Sequence, residues 1–170
     1  MATSAGTRLI LLDANFLITL AQTSTDDVWL QSFLGSLGRR HTIGIPAPSW
    51  AEFLSGSGNA ASAFSKVVRS KSGIQVIPFD EMSAIECGFI DQKIRAKTGN
   101  KKGASTAAWQ KIKIDRQILA IAAARKVTAV YTDDDGLIAD AEIIGITTIK
   151  MCDIPRVPQQ LPLLKTTNEE

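Results

Sequence analysis

Histidine and cysteine are scarce in this chain of 170 residues: one histidine, His41, and two cysteines, Cys87 and Cys152. No CxxC pair and no Cys/His spacing of the kind that holds zinc is present. That scarcity excludes a zinc finger and a disulfide-stapled scaffold. The two cysteines read as small buried apolar residues, and His41 as a surface or loop residue. Long apolar runs are lacking as well. Stretches such as Leu9 to Leu12 and Ile118 to Ala124 fall far short of the roughly 20 residues that cross a bilayer, so no membrane span is expected. Met1 to Thr7 is small and polar, without the charged-then-apolar pattern of a secretory leader, which makes a cytoplasmic location the expectation. An excess of either charge is missing too. Nineteen Lys and Arg against 17 Asp and Glu give a net charge of +2, and by itself that names no partner.

What is present is the make-up of a folded soluble domain, with 45% apolar and 21% charged residues. The length suits one ordinary domain with one active site. From Asp153 onward Pro155, Pro158 and Pro162 preclude a helix or a central strand, so the expected division is a domain over 1–152 and a proline-rich tail over 153–170. Charge is unevenly placed. Lys93, Arg95, Lys97, Lys101, Lys102, Lys111, Lys113 and Arg116 form a basic block around a single acid, Asp115.

Arg8 to Leu12 is a short continuous apolar run, which predicts a fully buried parallel strand ending at Asp13, followed by a helix over Ala14 to Ala21. Acids near Ser24 and the apolar spacing of Val28, Leu30, Phe33, Leu34 and Leu37 predict a second helix to about Gly38. Thr42 to Ile45 reads as a strand closed by proline, Ser49 to Leu54 as a helix carrying Glu52, and Ala60 to Arg69 as another helix. Ile74 to Pro78 follows as a strand, then a helix from Asp80 to roughly Lys97 and an exposed polar loop over Thr98 to Ala107. A strongly apolar helix from Ile114 to Arg125, a strand at Ala129 to Thr132, a helix at Leu137 to Ile144 and a strand at Ile146 to Ile149 complete the pattern. Alternation of this kind implies an α/β fold: a single domain with a mainly parallel sheet of about five strands and helices on both faces.

In such a sheet, residues just after different strands converge on one crevice at the carboxyl edge, and Asp13 and Asp134 stand at such positions. Asp115 shares a helical face with Ile118, Leu119 and Ala122, so it turns toward the core. A buried acid costs several kcal/mol unless it is paired, and a second acid nearby raises that cost until a cation supplies the missing charge. Without cysteine or histidine ligands only oxygen donors remain, which selects Mg²⁺ or Mn²⁺. Such an ion on a phosphate supports phosphodiester hydrolysis. Each acid also has an ordinary reading. Asp13, Asp115 and the run Asp133 to Asp135 suit helix caps, and Glu52 suits a solvated helix face.

Taken together, Leu11-Leu-Asp13-Ala-Asn15, Pro48-Ser-Trp-Ala-Glu52-Phe-Leu, Ile114-Asp115-Arg-Gln-Ile-Leu-Ala and Val130-Tyr-Thr132-Asp-Asp134 resemble, in order, the four motifs of the PIN-domain nuclease family. That family includes the VapC-like toxins of toxin-antitoxin pairs. The resemblance implies a PIN-like fold and a metal-dependent endoribonuclease. It assigns Asp13, Glu52, Asp115 and Asp134 as catalytic metal ligands, with Asp133 beside them and Asn15 and Thr132 in support. It also implies RNA as substrate, a protein antitoxin and a homodimer as partners. The basic block suits phosphate contacts through Lys101, Lys102, Lys111, Lys113 and Arg116, and Trp109 within it suits stacking on an unpaired base. Trp29 and Trp50 read as core. The chain is longer than toxins of this kind, through Ala96 to Lys113 and the tail, so an RNA-processing role stands beside the toxin role. The alternative is an RNA-binding or scaffold protein that keeps the fold without chemistry. A phosphotransfer enzyme would need a second acid two residues after Asp13, where Asn15 stands.

Overall fold

A computed structural model describes residues 8–22, 33, 41–56, 58, 62–63, 65–66, 73–103 and 105–154. Most of the expected helix to Gly38, most of the helix over Ala60 to Arg69, Trp29 and the chain beyond Ile154 lie outside the described residues. The elements are β1 (Arg8–Leu12), α1 (Ala14–Gln22), β2 (His41–Pro46), α2 (Ala47–Gly56), β3 (Ile74–Ile77) and α3 (Glu81–Thr98). These are followed by α4 (Trp109–Ala124), β4 (Ala129–Tyr131), α5 (Asp135–Ile144), β5 (Thr148–Ile149) and a 3₁₀ turn at Met151–Asp153.

Among the described residues all strand pairs are parallel, and the order across the sheet is β3-β2-β1-β4-β5. Period-2 geometry sends alternate residues of β1 to opposite faces. Ile10 and Leu12 join Phe16, Leu17, Ile45, Phe53 and Tyr131 on the α1 and α2 side. Leu11 joins Ile90, Ile94, Ile118, Leu119, Leu137 and Ala141 on the α3, α4 and α5 side. Both faces are covered, as a parallel sheet requires. Leu11, Leu17, Ile45, Phe53, Leu119 and Val130 are 0% exposed, each stabilising the fold by about 1.5–3 kcal/mol. Packing under β2 is close enough that a Cβ on Gly44 would stand 2.6 Å from Ile77 Cδ1 and 2.7 Å from Leu11 Cδ2.

Local chemistry sets the helix ends. Asp80 caps α3 by accepting from the Ser83 amide at 3.0 Å, and Gly99 closes the helix in the left-handed region at φ 67°. Asp134 caps α5 in the same way through Leu137, with Gly145 at its end.

Three sequence expectations are corrected. Helix α4 begins at Trp109, five residues before the expected Ile114, so Asp115 lies in the second turn rather than at a helix start. The polar first turn obscured this: only Ile112 within Gln110 to Lys113 is apolar, yet Ile112, Asp115, Arg116 and Leu119 form one buried face. Cys152 is exposed and Cys87 half-buried, so neither is a fully buried small residue. His41 opens β2, paired with Arg8, instead of lying in a loop. Ile154, two residues past the expected boundary, is buried against the α1 side. Among the described residues, no helix is long and apolar enough to cross a membrane.

Candidate metal centre

Strand β1 connects outward to β2 and β3, whereas β4 and β5 lie on its other side. The β1/β4 boundary is therefore the switch point of the sheet, where a crevice opens at the carboxyl edge. The register Leu12↔Tyr131 sets Asp13 beside Thr132 there, and the Asp13 amide donates to the Tyr131 carbonyl at 3.0 Å.

Asp13 is 5% exposed. Its Oδ1 accepts from the Ala14 amide at 2.7 Å and from Ser49 Oγ at 2.9 Å, and its Oδ2 accepts from Thr132 Oγ1 at 2.9 Å. A carboxylate held on both oxygens keeps one orientation. Thr132 Oγ1 in turn accepts from the Asp134 amide at 3.1 Å, so the two acids at the ends of β1 and β4 share one fixed hydroxyl. Asp13 thus supports the start of α1 and faces the crevice at once.

Asp134 divides its oxygens differently. Oδ1 takes the Leu137 amide at 3.0 Å, and Oδ2 takes Lys111 Nζ at 2.5 Å. The cap reading is correct for Asp134, and it leaves the second oxygen turned to the cleft. Partial burial pushes its pKa up, but the Lys111 hydrogen bond, the Leu137 amide and the Lys111 charge outweigh that and leave it below the ordinary value. Asp115, 8% exposed, is pushed up to about 6, first by burial and further by the charges of Asp134 and Asp13, against the opposing pull of Lys111. Lys111 Nζ lies 3.1 Å from Asp115 Oδ2 and 3.3 Å from Oδ1. Its own pKa is raised: burial lowers it, and the bonds to Asp134 and Asp115 more than compensate.

Glu52 stands at the lip of an open cleft of about 600 Å³, whose wall also includes Pro48, Lys111, Asp115 and Gln117. Its pKa is raised, first by burial and then by the charge of Asp13, with Lys111 lowering and Asp134 raising it. Ser49 and Glu52 are three residues apart on α2, so one helical face presents both toward Asp13.

Four separate segments therefore bring Asp13, Glu52, Asp115 and Asp134 to one crevice. Other expected residues go elsewhere. Asp133 is exposed, and its Oδ1 accepts from the Met151 amide at 2.9 Å, which ties it to the turn after β5 and away from Asp13. Asn15 is exposed at the start of α1, on the helix that follows Asp13. Arg116 is 1% exposed. It donates to Asp140 at 3.1 Å and to Asp91 at 2.7 Å. Its guanidinium is engaged by the buried carboxylate of Asp140 and the part-exposed one of Asp91, which argues against the phosphate contact expected of it. Lys111 belongs to the acid cluster instead of to a free basic surface. Lys101, Lys102 and Lys113 are exposed, and Lys101 Nζ sits 4.3 Å above the Trp109 ring. Trp50 stacks on Phe53 with ring centroids 5.5 Å apart.

Sequence reasoning missed Ser49, whose signal was its i,i+3 relation to Glu52, and it named Lys111 only as a phosphate contact although its i,i+4 relation to Asp115 pointed to the acids.

The donor set fits a hard divalent ion. Every acid offers oxygen, and the Lys111 ammonium stands between two of them as a cation would. As they stand, no three such side chains among the described residues are near enough to hold one ion together.

An α/β domain with an acid-lined crevice at the switch point of a five-stranded parallel sheet is thereby defined. The chain belongs to the PIN domain family, whose model matches residues 10–142. PIN domains are generally hydrolytic nucleases that depend on divalent metals. Solved structures with this fold include a chain of the VapBC2 complex of Rickettsia felis bound to a DNA fragment from its promoter. That likeness has 19% identity and a TM-score of 0.57, covering 84% of this chain and 98% of that one. Another is a chain of DNA-bound VapBC from Salmonella typhimurium, at 22% identity and a TM-score of 0.58, covering 85% and 98%. At those identities the likeness is one of fold. No curated protein sequence matches the chain significantly.

Proposed function

We propose that this PIN domain is an endoribonuclease that hydrolyses RNA phosphodiester bonds with Mg²⁺ or Mn²⁺ held by Asp13, Glu52, Asp115 and Asp134. The observation that carries the reading is the meeting of Asp115 and Asp134 across one ammonium, beside an Asp13 fixed on both oxygens. Bound there, a divalent ion supplies the positive charge and Lewis acidity that phosphodiester hydrolysis needs. The chain's own contribution is orientation. Ser49 and Thr132 hold Asp13, the Leu137 amide holds Asp134, and α4 carries Asp115 on a buried face. Asn15 and Asp133 have only a peripheral part in this scheme. Exposed Lys101, Lys102 and Lys113 with Trp109 would meet the RNA backbone and an unpaired base.

The VapBC assemblies with the same fold support a protein antitoxin as partner for this chain. Met82, Ile85 and Phe89, exposed on α3, offer apolar surface for such a partner or for a second copy. A cytoplasmic setting completes the proposal.

The test is cleavage of a labelled RNA pool in Mg²⁺, Mn²⁺ or EDTA by wild type, Asp13→Asn and Asp115→Asn. Loss of cleavage on chelation and in either variant supports the reading. A folded wild type that cleaves in no metal, yet binds RNA, makes the protein an RNA-binding PIN domain without chemistry.

A further inference from the structure

Asp134 commits only one oxygen to the helix cap. Its Oδ1 is held by the Leu137 amide, so Oδ2 is the atom left for an ion, and Lys111 Nζ sits on it at 2.5 Å. The same ammonium reaches both oxygens of Asp115, at 3.1 and 3.3 Å. Lys111 and Asp115 lie one helical turn apart on α4, which lets one flexible side chain span the gap to the end of β4. The Lys111 side chain is 49% exposed. Packing does not lock it in place, and the two carboxylates hold it there.

An ammonium and a divalent ion need the same oxygens and the same negative charge. They cannot share them, because two cations at hydrogen-bonding distance repel strongly in a partly buried site. Resting on the reading of this cleft as a divalent-metal site, we propose that Lys111 is a resident counter-ion occupying the cation position between Asp115 and Asp134. It keeps the metal-free acids together and competes with the divalent ion, which binds only as the ammonium swings out. The swing also frees the oxygens of Asp115 and Asp134 for an ion. Divalent affinity is then set partly by this competition, and the displaced ammonium remains tethered at the cleft where an anionic substrate arrives.

The test is calorimetric titration of the full chain with Mn²⁺ alone, comparing wild type, Lys111→Met, Lys111→Gln and Asp134→Asn, with thermal melts in EDTA and in Mn²⁺. Both Lys111 variants are expected to bind Mn²⁺ about tenfold more tightly than wild type, a coupling of ordinary size between two binding events. They should also melt lower in EDTA and gain more from Mn²⁺, while Asp134→Asn loses the ion. Should one Lys111 variant fail to fold, the other carries the comparison. Affinity no higher than wild type in the Lys111 variants, with binding still lost in Asp134→Asn, overturns the counter-ion and leaves the metal site standing. No Mn²⁺ binding by any of the four proteins overturns both.

Discussion

Thr132 Oγ1 donates to Asp13 Oδ2 at 2.9 Å across 119 positions of sequence, and the same oxygen accepts from the Asp134 amide at 3.1 Å. One fully buried hydroxyl therefore couples the end of β1 to the acid that caps α5. Thr132→Val keeps the volume and removes both bonds. It leaves a buried carboxylate oxygen and an amide without partners, so the expected loss of stability is about 1–3 kcal/mol. Urea unfolding of the two proteins measures it, and equal midpoints would mean that the hydroxyl holds nothing.

Asp115 gives a pH dependence whose sign follows from its raised pKa. In the folded chain it titrates at about 6, against 3.8 unfolded. The folded state thus holds this proton more tightly, and its stabilising contribution is complete below the unfolded value. That contribution is lost as pH rises from about 3.8 through 6. Without metal, Asp115→Asn should remove this part of the pH dependence and melt no lower than wild type at pH well above 6. A variant that melts well below wild type there would show that ionised Asp115 stabilises the metal-free fold. Divalent binding by wild type should weaken below the same value, because the ion must displace the proton.

Arg116 is expected to act on folding. Removing it as Arg116→Met leaves Asp140, 4% exposed, as a buried charge without its partner, which should cost about 3–5 kcal/mol. Guanidinium unfolding checks the magnitude. If stability is kept and RNA affinity falls, Arg116 is a phosphate contact after all.

Lys101 and Lys102 are exposed, the first with its ammonium over the Trp109 ring and the second donating to the Ala107 carbonyl at 3.3 Å. Under the ribonuclease reading, Lys101→Ala and Lys102→Ala should each weaken binding to unrelated RNAs alike, and lower the slope of log affinity against log salt by about 0.7. Binding isotherms at several salt concentrations measure this. An unchanged slope in both variants would put the RNA elsewhere.

Much of the architecture was legible because a parallel sheet leaves a local mark. Continuous apolar runs such as Leu9 to Leu12, each followed by helical spacing, announce buried strands and the helices that cover them. Caps were legible for the same reason: Asp80 before α3 and Asp134 before α5 act on amides three residues away. The start of α4 was not legible, since its first turn is polar and Ala108 supplies no side-chain cap, so tertiary burial of Ile112 and Arg116 fixes the helix there.

Among the described residues, the chain by itself determined the order of strands and helices and the oxygen-only chemistry its acids offer, because each depends on residue type and short-range spacing. Only the tertiary structure decided which charges meet. Lys111 and Arg116 come from one basic block, yet their places on α4 send the first into the acid cleft and the second, itself buried, into ion pairs with Asp91 and Asp140. The physical reason is that helical residues about 100° apart per step face different surroundings, and whether a cation meets carboxylates, a ring or water depends on segments far away in sequence.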